Sequence, residues 1–291
     1  MDLFSVKKAG VPLSIQDQGR TGFRHLGFPV GGALDPLAAK FANHLAGNQP
    51  SDAVLEVTMG SVELEVLETS EIAIAGADLD FRLNGKKTEI WQTLFVREGD
   101  ELSFKGPVAG MRAYVAVSGG LENEIILGSR SVCETAGIGR RFTEGDRIAA
   151  CLPFKKAGKR SRRVISPWQR PVYERTITLD VHPGRHKTRF TREALHLFQS
   201  DIFRLTAGDR MGAVLKGKEP LTHQNGADIL SEAVMPGTIQ VAEDGQPMIL
   251  LMDAQTTGGY TSIGTVKEDA LWKVAQLQPG GAVHFQFMRG G

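Results

Sequence analysis

The sequence predicts a mainly β protein with a few helices, arranged as two tandem barrel-like units. Three observations carry this. Apolar segments are short, rich in Val, Ile and Leu, and separated by turn residues at roughly 8–12-residue spacing. Glycine is abundant, at 34 of 291 residues, which suits a turn-rich β architecture better than a helical one. The two halves also resemble each other. "LEVTMGSVELEV" followed by "IAIAGAD" lies over "LSEAVMPGTIQVAEDGQPMILLMD" with one inserted residue. Glu56 then meets Glu232, Gly60 meets Gly237, and Asp78 meets Asp253.

The elements follow in chain order. An opening loop, "SIQDQGRTGFRHLGFPVGGALD" (14–35), packs five glycines among Gln16, Asp17, Arg20 and Asp35. A helix over 35–46 comes next, with Asp35 as N-cap, Pro36 at the first position and Gly47 closing it. Leu37, Phe41 and Leu45 are expected on its inner face. The segments "AVLEVT", "SVELEVLE", "SEIAIAGAD", "LFVREGDELSF" and "RAYVAVSGG" read as consecutive strands. "SVELEVLE" alternates, so one face is expected in water. "AYVAV" and "MILLM" are continuous, so both faces are expected to be covered. The second half adds "FTREALHLFQS", a helix capped by Thr191 with Leu195 and Phe198 on one side, and further strands such as "GGAVHFQF". The expected division is a first barrel over 1–153, a basic linker or loop over 154–164, and a second barrel over 165–291. These limits are approximate, and strands exchanged between barrels are allowed.

Charge and composition exclude several classes. Lys plus Arg is 34 and Asp plus Glu is 33, so the net charge of +1 gives no general attraction to nucleic acid or membrane. The block "KKAGKRSRR" (155–163) is expected to be solvated. Two cysteines, Cys133 and Cys151, cannot build a disulfide framework. No signal-peptide core and no membrane-length apolar run occurs, so the expected compartment is the cytoplasm.

An aspartate at the end of a buried strand is held rigidly, and both Asp78 and Asp253 fit that description. Each could instead cap the following turn. After Asp253 comes "AQTTGGYTSIGTV", in which Gln255, Thr256, Thr257 and Tyr260 surround the Gly258–Gly259 pair. These groups suit a small polar amide. The two glycine N–H groups are also candidates to receive an anion. In the opening loop, Asp17 is a candidate proton acceptor and Arg20 a candidate carboxylate fork; the structural alternative is an Asp17–Arg20 bond stapling the loop. Arg130 in "GSRS" and Arg210 in "GDRMG" either grip a ligand carboxylate or pair with Glu56 and Glu232. No metal site is expected: Pro183 and Gly184 separate His182 from His186, and the other histidines lack partners at ligand spacing. There is no G-x-S-x-G elbow, no G-x-x-x-x-G-K-[ST] loop and no biotin-bearing Met-Lys-Met.

Several stretches, in order, carry a family likeness: "QDQGRTGFRHLGFPVGGALDPLAAKFANHLAGN", "VLEVTMGSVELEV", "VAVSGGL…LGSRS", "GRRFTEGDRI", "DRMGAVLKG", "SEAVMPGTIQVAEDGQPMILLMDAQTTGGY" and "AQLQPGG". Over about residues 10–288 the chain resembles the family of the 5-oxoprolinase C subunit, the KipA family, also labelled allophanate hydrolase subunit 2 and biotin-dependent carboxyltransferase. It departs from the family pattern at Gln18, Gly31, Val132, Ala254 and Gly281. The loss of an arginine at Ala254, beside Asp253, leaves an altered substrate or a regulatory paralogue open.

The resemblance implies tandem cyclophilin-like β barrels and a cytoplasmic hetero-oligomer. It implies a KipI-like partner (the B subunit) and a LamB/YcsF-like partner (the A subunit), with ATP and Mg used by the complex and none bound by this chain alone. The implied activity is ATP-dependent opening of the cyclic amide 5-oxo-L-proline to L-glutamate, with this chain inactive alone. Two alternatives stay open: a KipA-type regulator that counteracts a KipI-like histidine-kinase inhibitor, and the carboxyltransferase component of a urea carboxylase-like enzyme. Read from the residues, the candidate catalytic groups are Asp17, Asp253 and Tyr260; Arg20, Arg130, Gln255, Thr256, Thr257 and Glu232 are the candidate substrate-binding groups, Gly258 and Gly259 the candidates to receive a cofactor anion, and no metal is expected.

Overall fold

The structure is a computed structural model that describes residues 1–10, 12–151 and 162–288. It is mainly β and divides into two compact units. The first comprises Met1–Thr21 and Gly31–Tyr173; the second comprises Gly22–Val30 and Glu174–Gly291. Nine residues of the opening loop thus group with the second unit. The part of the expected basic linker before 162 lies outside the described residues. No helix among the described residues is long and apolar enough to cross a membrane.

The first unit has two sheets around one core. A six-stranded sheet runs in the order Arg147–Ala149, Asp2–Lys8, Val62–Val66, Glu101–Phe104, Phe81–Leu83, Lys86–Lys87. A five-stranded sheet runs Leu13–Gln16, Val54–Thr58, Ala109–Val117, Ser70–Asp78, Gln92–Val96. Leu3, Phe4, Leu64 and Phe104 from the first sheet meet Leu55, Ile72, Ile74 and Val115 from the second in one buried cluster. Val62–Val66 alternates buried and half-buried residues, the pattern of a strand with one inner face. Ala109–Val117 is buried almost throughout, because the helix Pro36–Ala46 covers the far face of its sheet.

That helix begins as its sequence requires. Asp35 accepts a hydrogen bond from Ala38 N–H, Pro36 is at the first position, and Gly47 ends it in a left-handed conformation. Its buried face matches the expected one at Leu45 and, in part, at Phe41, but not at Leu37. Ala38, Ala39, Ala42 and Ala46 pack on the sheet beside Leu45, while Leu37 is exposed. Alanines allow a close approach of helix to sheet that a leucine row would hold apart.

The second unit is one eight-stranded sheet: Thr176–Pro183, Ala282–Phe287, Phe203–Gly208, Gly212–Lys216, Pro247–Leu250, Thr238–Val241, Thr257–Val266, Asp228–Ala233. Thr176–Pro183 also pairs with Thr257–Val266, so hydrogen-bonded neighbours run in a ring through seven strands. The helix Arg192–Ser200, capped by the Thr191 hydroxyl, buries Ala194 and Phe198. Phe198 stacks on Phe285 at 4.4 Å, with Phe203 a further 5.4 Å from Phe285.

Candidate functional site

The opening loop is a narrow-necked excursion. Its neck closes where Ala33 N–H donates to the Asp17 carbonyl at 2.9 Å. A Cβ on Gly32 would lie 2.8 Å from Gly19 N, so only glycine permits this approach, and its φ of +87° adds a second reason. Asp17 fastens the neck. Its Oδ1 accepts from Gly19 N at 2.7 Å, Ser129 Oγ at 2.7 Å and Ser131 Oγ at 2.6 Å, and its Oδ2 accepts from Arg130 N at 2.6 Å. A carboxylate with four donors is an organiser of backbone.

The expected Asp17–Arg20 staple does not form. Arg20 is fully buried and donates through Nη2 to the Ser131 carbonyl and through Nε to the Ile126 carbonyl at 3.4 Å, while its Nη1 has no partner among the described residues. Arg130 does not pair with Glu56 either. Its guanidinium reaches the Asn123 carbonyl at 3.2 Å and Cys151 Sγ at 3.9 Å. Glu56 instead joins a buried network: its Oε2 accepts from the Tyr114 hydroxyl at 2.8 Å and from Leu34 N at 3.0 Å. Asp35 N–H donates to the Tyr114 hydroxyl, and the Tyr173 hydroxyl donates to Asp35 Oδ2 at 3.1 Å. Burial, reinforced by Glu56 and Asp35, raises the Tyr114 pKa well above its ordinary value; burial and Asp35 raise that of Tyr173. Asp78 caps its turn, accepting from Asp80 N at 2.9 Å.

In the second unit Asp253 is buried and gripped by Arg210, with Nε to Oδ2 at 2.8 Å and Nη2 to Oδ1 at 2.9 Å. Arg210 is therefore a structural partner, but of Asp253 and not of Glu232. Glu232 meets Arg185 Nη1 at 3.1 Å and lies 3.7 Å from His186 Nδ1. Glu232 sits opposite Gly258 in the ladder between Asp228–Ala233 and Thr257–Val266, and Thr257 sits opposite Ala233, so the fold gathers these residues. Thr256 accepts from Val234 N at 3.1 Å through its carbonyl, and Tyr260 is exposed.

Gly258 and Gly259 form no anion-receiving nest. Both lie within the strand and neither has a positive φ, whereas a nest requires N–H groups converging through a left-handed residue. Gly258 has a different reason to be glycine: a Cβ there would lie 2.4 Å from Gln240 Nε2. Buried Gln240 in turn accepts from Gln255 Nε2 at 3.3 Å and donates to the Tyr260 carbonyl at 3.4 Å.

One participant carries no motif of its own in the sequence. Arg24, in the excursion, donates through Nη2 to the Val234 carbonyl and to the Gln255 carbonyl at 3.1 Å, and its Nη1 is buried without a partner among the described residues. Burial lowers its pKa. Its position in the same glycine-rich loop as Arg20 is the one signal that points to it. Among the described residues no cluster of three or more His, Cys, Asp or Glu could hold a metal ion.

The class of protein is given by comparison with known families. Residues 26–287 match the family described as carboxyltransferase domain, subdomain A and B. The chain is 34% identical to the C subunit of 5-oxoprolinase from Escherichia coli K12 over 288 residues, 97% of this chain and 90% of that one. It belongs to this carboxyltransferase-domain family, in the branch resembling the 5-oxoprolinase C subunit. The crystal structure of TTHA0988 superposes with a TM-score of 0.85 at 31% identity over 98% of this chain. The crystal structure of K. lactis urea amidolyase gives a TM-score of 0.90 at 26% identity over 99% of this chain. This chain spans 55% of the former and 19% of the latter.

Proposed function

We propose that this chain is the C subunit of an ATP-dependent 5-oxoprolinase, acting with the A and B subunits to open 5-oxo-L-proline to L-glutamate. The observation that carries the reading is its 34% identity to the E. coli 5-oxoprolinase C subunit across 90% of that protein. A lactam is a resonance-stabilised amide with a poor leaving group. Transfer of the ATP γ-phosphoryl group to its carbonyl oxygen makes the ring carbon electrophilic. Water adds there, the C–N bond breaks with nitrogen leaving as the amine, and a second water hydrolyses the acyl phosphate to carboxylate and phosphate. ATP binding falls to another protein of the complex, since no nucleotide loop occurs in this sequence.

In this reading Gln255, Thr256, Thr257 and Tyr260, all in the second unit, hold the ring amide. Asp253 and Asp17 are already committed to several donors each, so they orient neighbouring groups. Proton exchange at Asp253 would require the Arg210 fork to open. The exposed Tyr260 hydroxyl is then the donor toward the developing oxyanion. Kinetics of the assembled complex test these roles. Gln255→Ala should raise KM for 5-oxoproline with kcat little changed, and Tyr260→Phe should lower kcat. A complex insensitive to both substitutions would remove the site from this chain. The urea amidolyase superposition favours one other reading, a carboxyltransferase component; bicarbonate- and biotin-dependent use of urea in place of 5-oxoproline would establish it.

A further inference from the structure

The first unit contains a hollow of about 460 Å³ that none of the roles above uses. It lies along the edge strand Gln92–Val96, whereas Asp17 follows Leu13–Gln16 at the opposite edge of the same sheet. Four strand spacings, ~19 Å, separate the two edges. Glu71 and Phe95 are cross-strand partners, so both stand on one face and form the floor. Thr93 and Arg97 stand on that face two residues to either side of Phe95, ~13 Å apart along the strand.

Each end carries a guanidinium. At one end Arg162 donates through Nε and Nη2 to Gln92 Oε1 at 3.1 and 2.6 Å, and Gln92 is itself held by Nε2 to the Glu89 carbonyl at 2.9 Å. Its Nη1 makes no hydrogen bond among the described residues. At the other end Arg97 opens a turn fixed by Asp100, whose Oδ2 accepts from Arg97 N at 2.7 Å and whose Oδ1 accepts from Asn84 Nδ2 at 2.8 Å. The Arg97 guanidinium and the Glu71 carboxylate make no hydrogen bond or ion pair among the described residues. They occupy diagonal positions on one face, ~7–8 Å apart at the backbone, where opposite charges ordinarily meet. The lining thus carries a guanidinium at each end, the Asp100 carboxylate beside Arg97, and an unanswered carboxylate, Glu71, between the ends.

We propose that this hollow binds a small amino dicarboxylate, an acidic amino acid in free form. One carboxylate lies on Arg97, the other on Arg162, and the ammonium faces Glu71. A dicarboxylate lacking the ammonium would leave Glu71 facing anions. The inference stands on this lining and holds whether or not the chain serves a 5-oxoprolinase.

Titration calorimetry of the full chain with L-glutamate, L-aspartate, glutarate and L-lysine tests it. At least one acidic amino acid should bind with low-millimolar or tighter affinity, and glutarate at least about tenfold more weakly, with L-lysine silent. Arg97→Gln should weaken the acidic amino acid by about tenfold or more, and Glu71→Gln should erase its preference over glutarate. Both side chains lack partners among the described residues, so the variants should unfold with the wild type. Absence of saturable binding, equal binding of glutarate, or binding unmoved by both substitutions would overturn the proposal. None of these readouts depends on turnover, so a negative result leaves the catalytic reading intact.

Discussion

Severing the Arg210–Asp253 pair should unfold the second unit more easily by an amount its burial fixes. The two side chains are 14% and 5% exposed and share two hydrogen bonds of 2.8 and 2.9 Å. Breaking a buried pair by removing one partner costs about 3–5 kcal/mol, because the other charge is left without compensation. Arg210→Met takes the paired counter-charge from the more deeply buried group and belongs at the upper end. Asp253→Ala leaves a guanidinium with some access to water and belongs at the lower end. The double variant loses both charges and keeps only a small cavity, about 1–2 kcal/mol. The coupling energy is therefore about 3 kcal/mol or more. Trp272 lies in the second unit and Trp91 and Trp168 in the first, so ¹⁹F NMR of fluorotryptophan-labelled protein during urea unfolding separates the units. With an m-value of ~2 kcal/mol/M, single variants should move the Trp272 midpoint down by ~1.5–2.5 M. Single shifts below ~0.5 M that add in the double variant would refute the burial argument.

Two further outcomes follow from local geometry. Gly258→Ala places a Cβ 2.4 Å from Gln240 Nε2, displacing the amide that Gln255 donates to. Since φ is not positive there, the cost is steric, about 1–3 kcal/mol, and adding Gln240→Ala should relieve it; an equally unstable double variant would point to backbone strain instead. His223 has its pKa lowered, first by burial and then by the Arg189 charge. The unfolded chain therefore binds its proton more readily, so this contribution to stability is complete above about pH 6.5 and declines as pH falls below that value. His223→Gln should flatten the acid side of the stability–pH curve, and a slope identical to wild type would contradict the assignment.

Local periodicity makes the strands legible. Val62–Val66 shows its wet face in alternate glutamates, and Ala109–Val117 shows its doubly covered position in an unbroken apolar run. The cap at Asp35 is equally local, a four-residue pattern read directly. What the sequence hides is long-range. Asp17 finds Ser129 and Ser131 more than a hundred positions away, and nothing near Asp17 names them. Arg210 meets Asp253 in place of Glu232 because the two segments return to neighbouring positions, a matter of topology. The helix face misleads for a related reason: amphipathic spacing marks bulky residues, but Ala38 and Ala42 are buried because the sheet approaches closely. Residue identity alone suggests an anion nest at Gly258 and Gly259, whereas the strand context and Gln240 decide their role.

In the proposed function this chain is an indispensable part of a lactam-opening complex and consumes no ATP itself. ATP hydrolysis and glutamate formation from 5-oxo-L-proline, measured together while the chain is omitted and then restored, test it most directly. Glutamate formation should vanish on omission and return on restoration, with no ATP hydrolysed by the chain alone. Undiminished glutamate formation by the remaining subunits would contradict it.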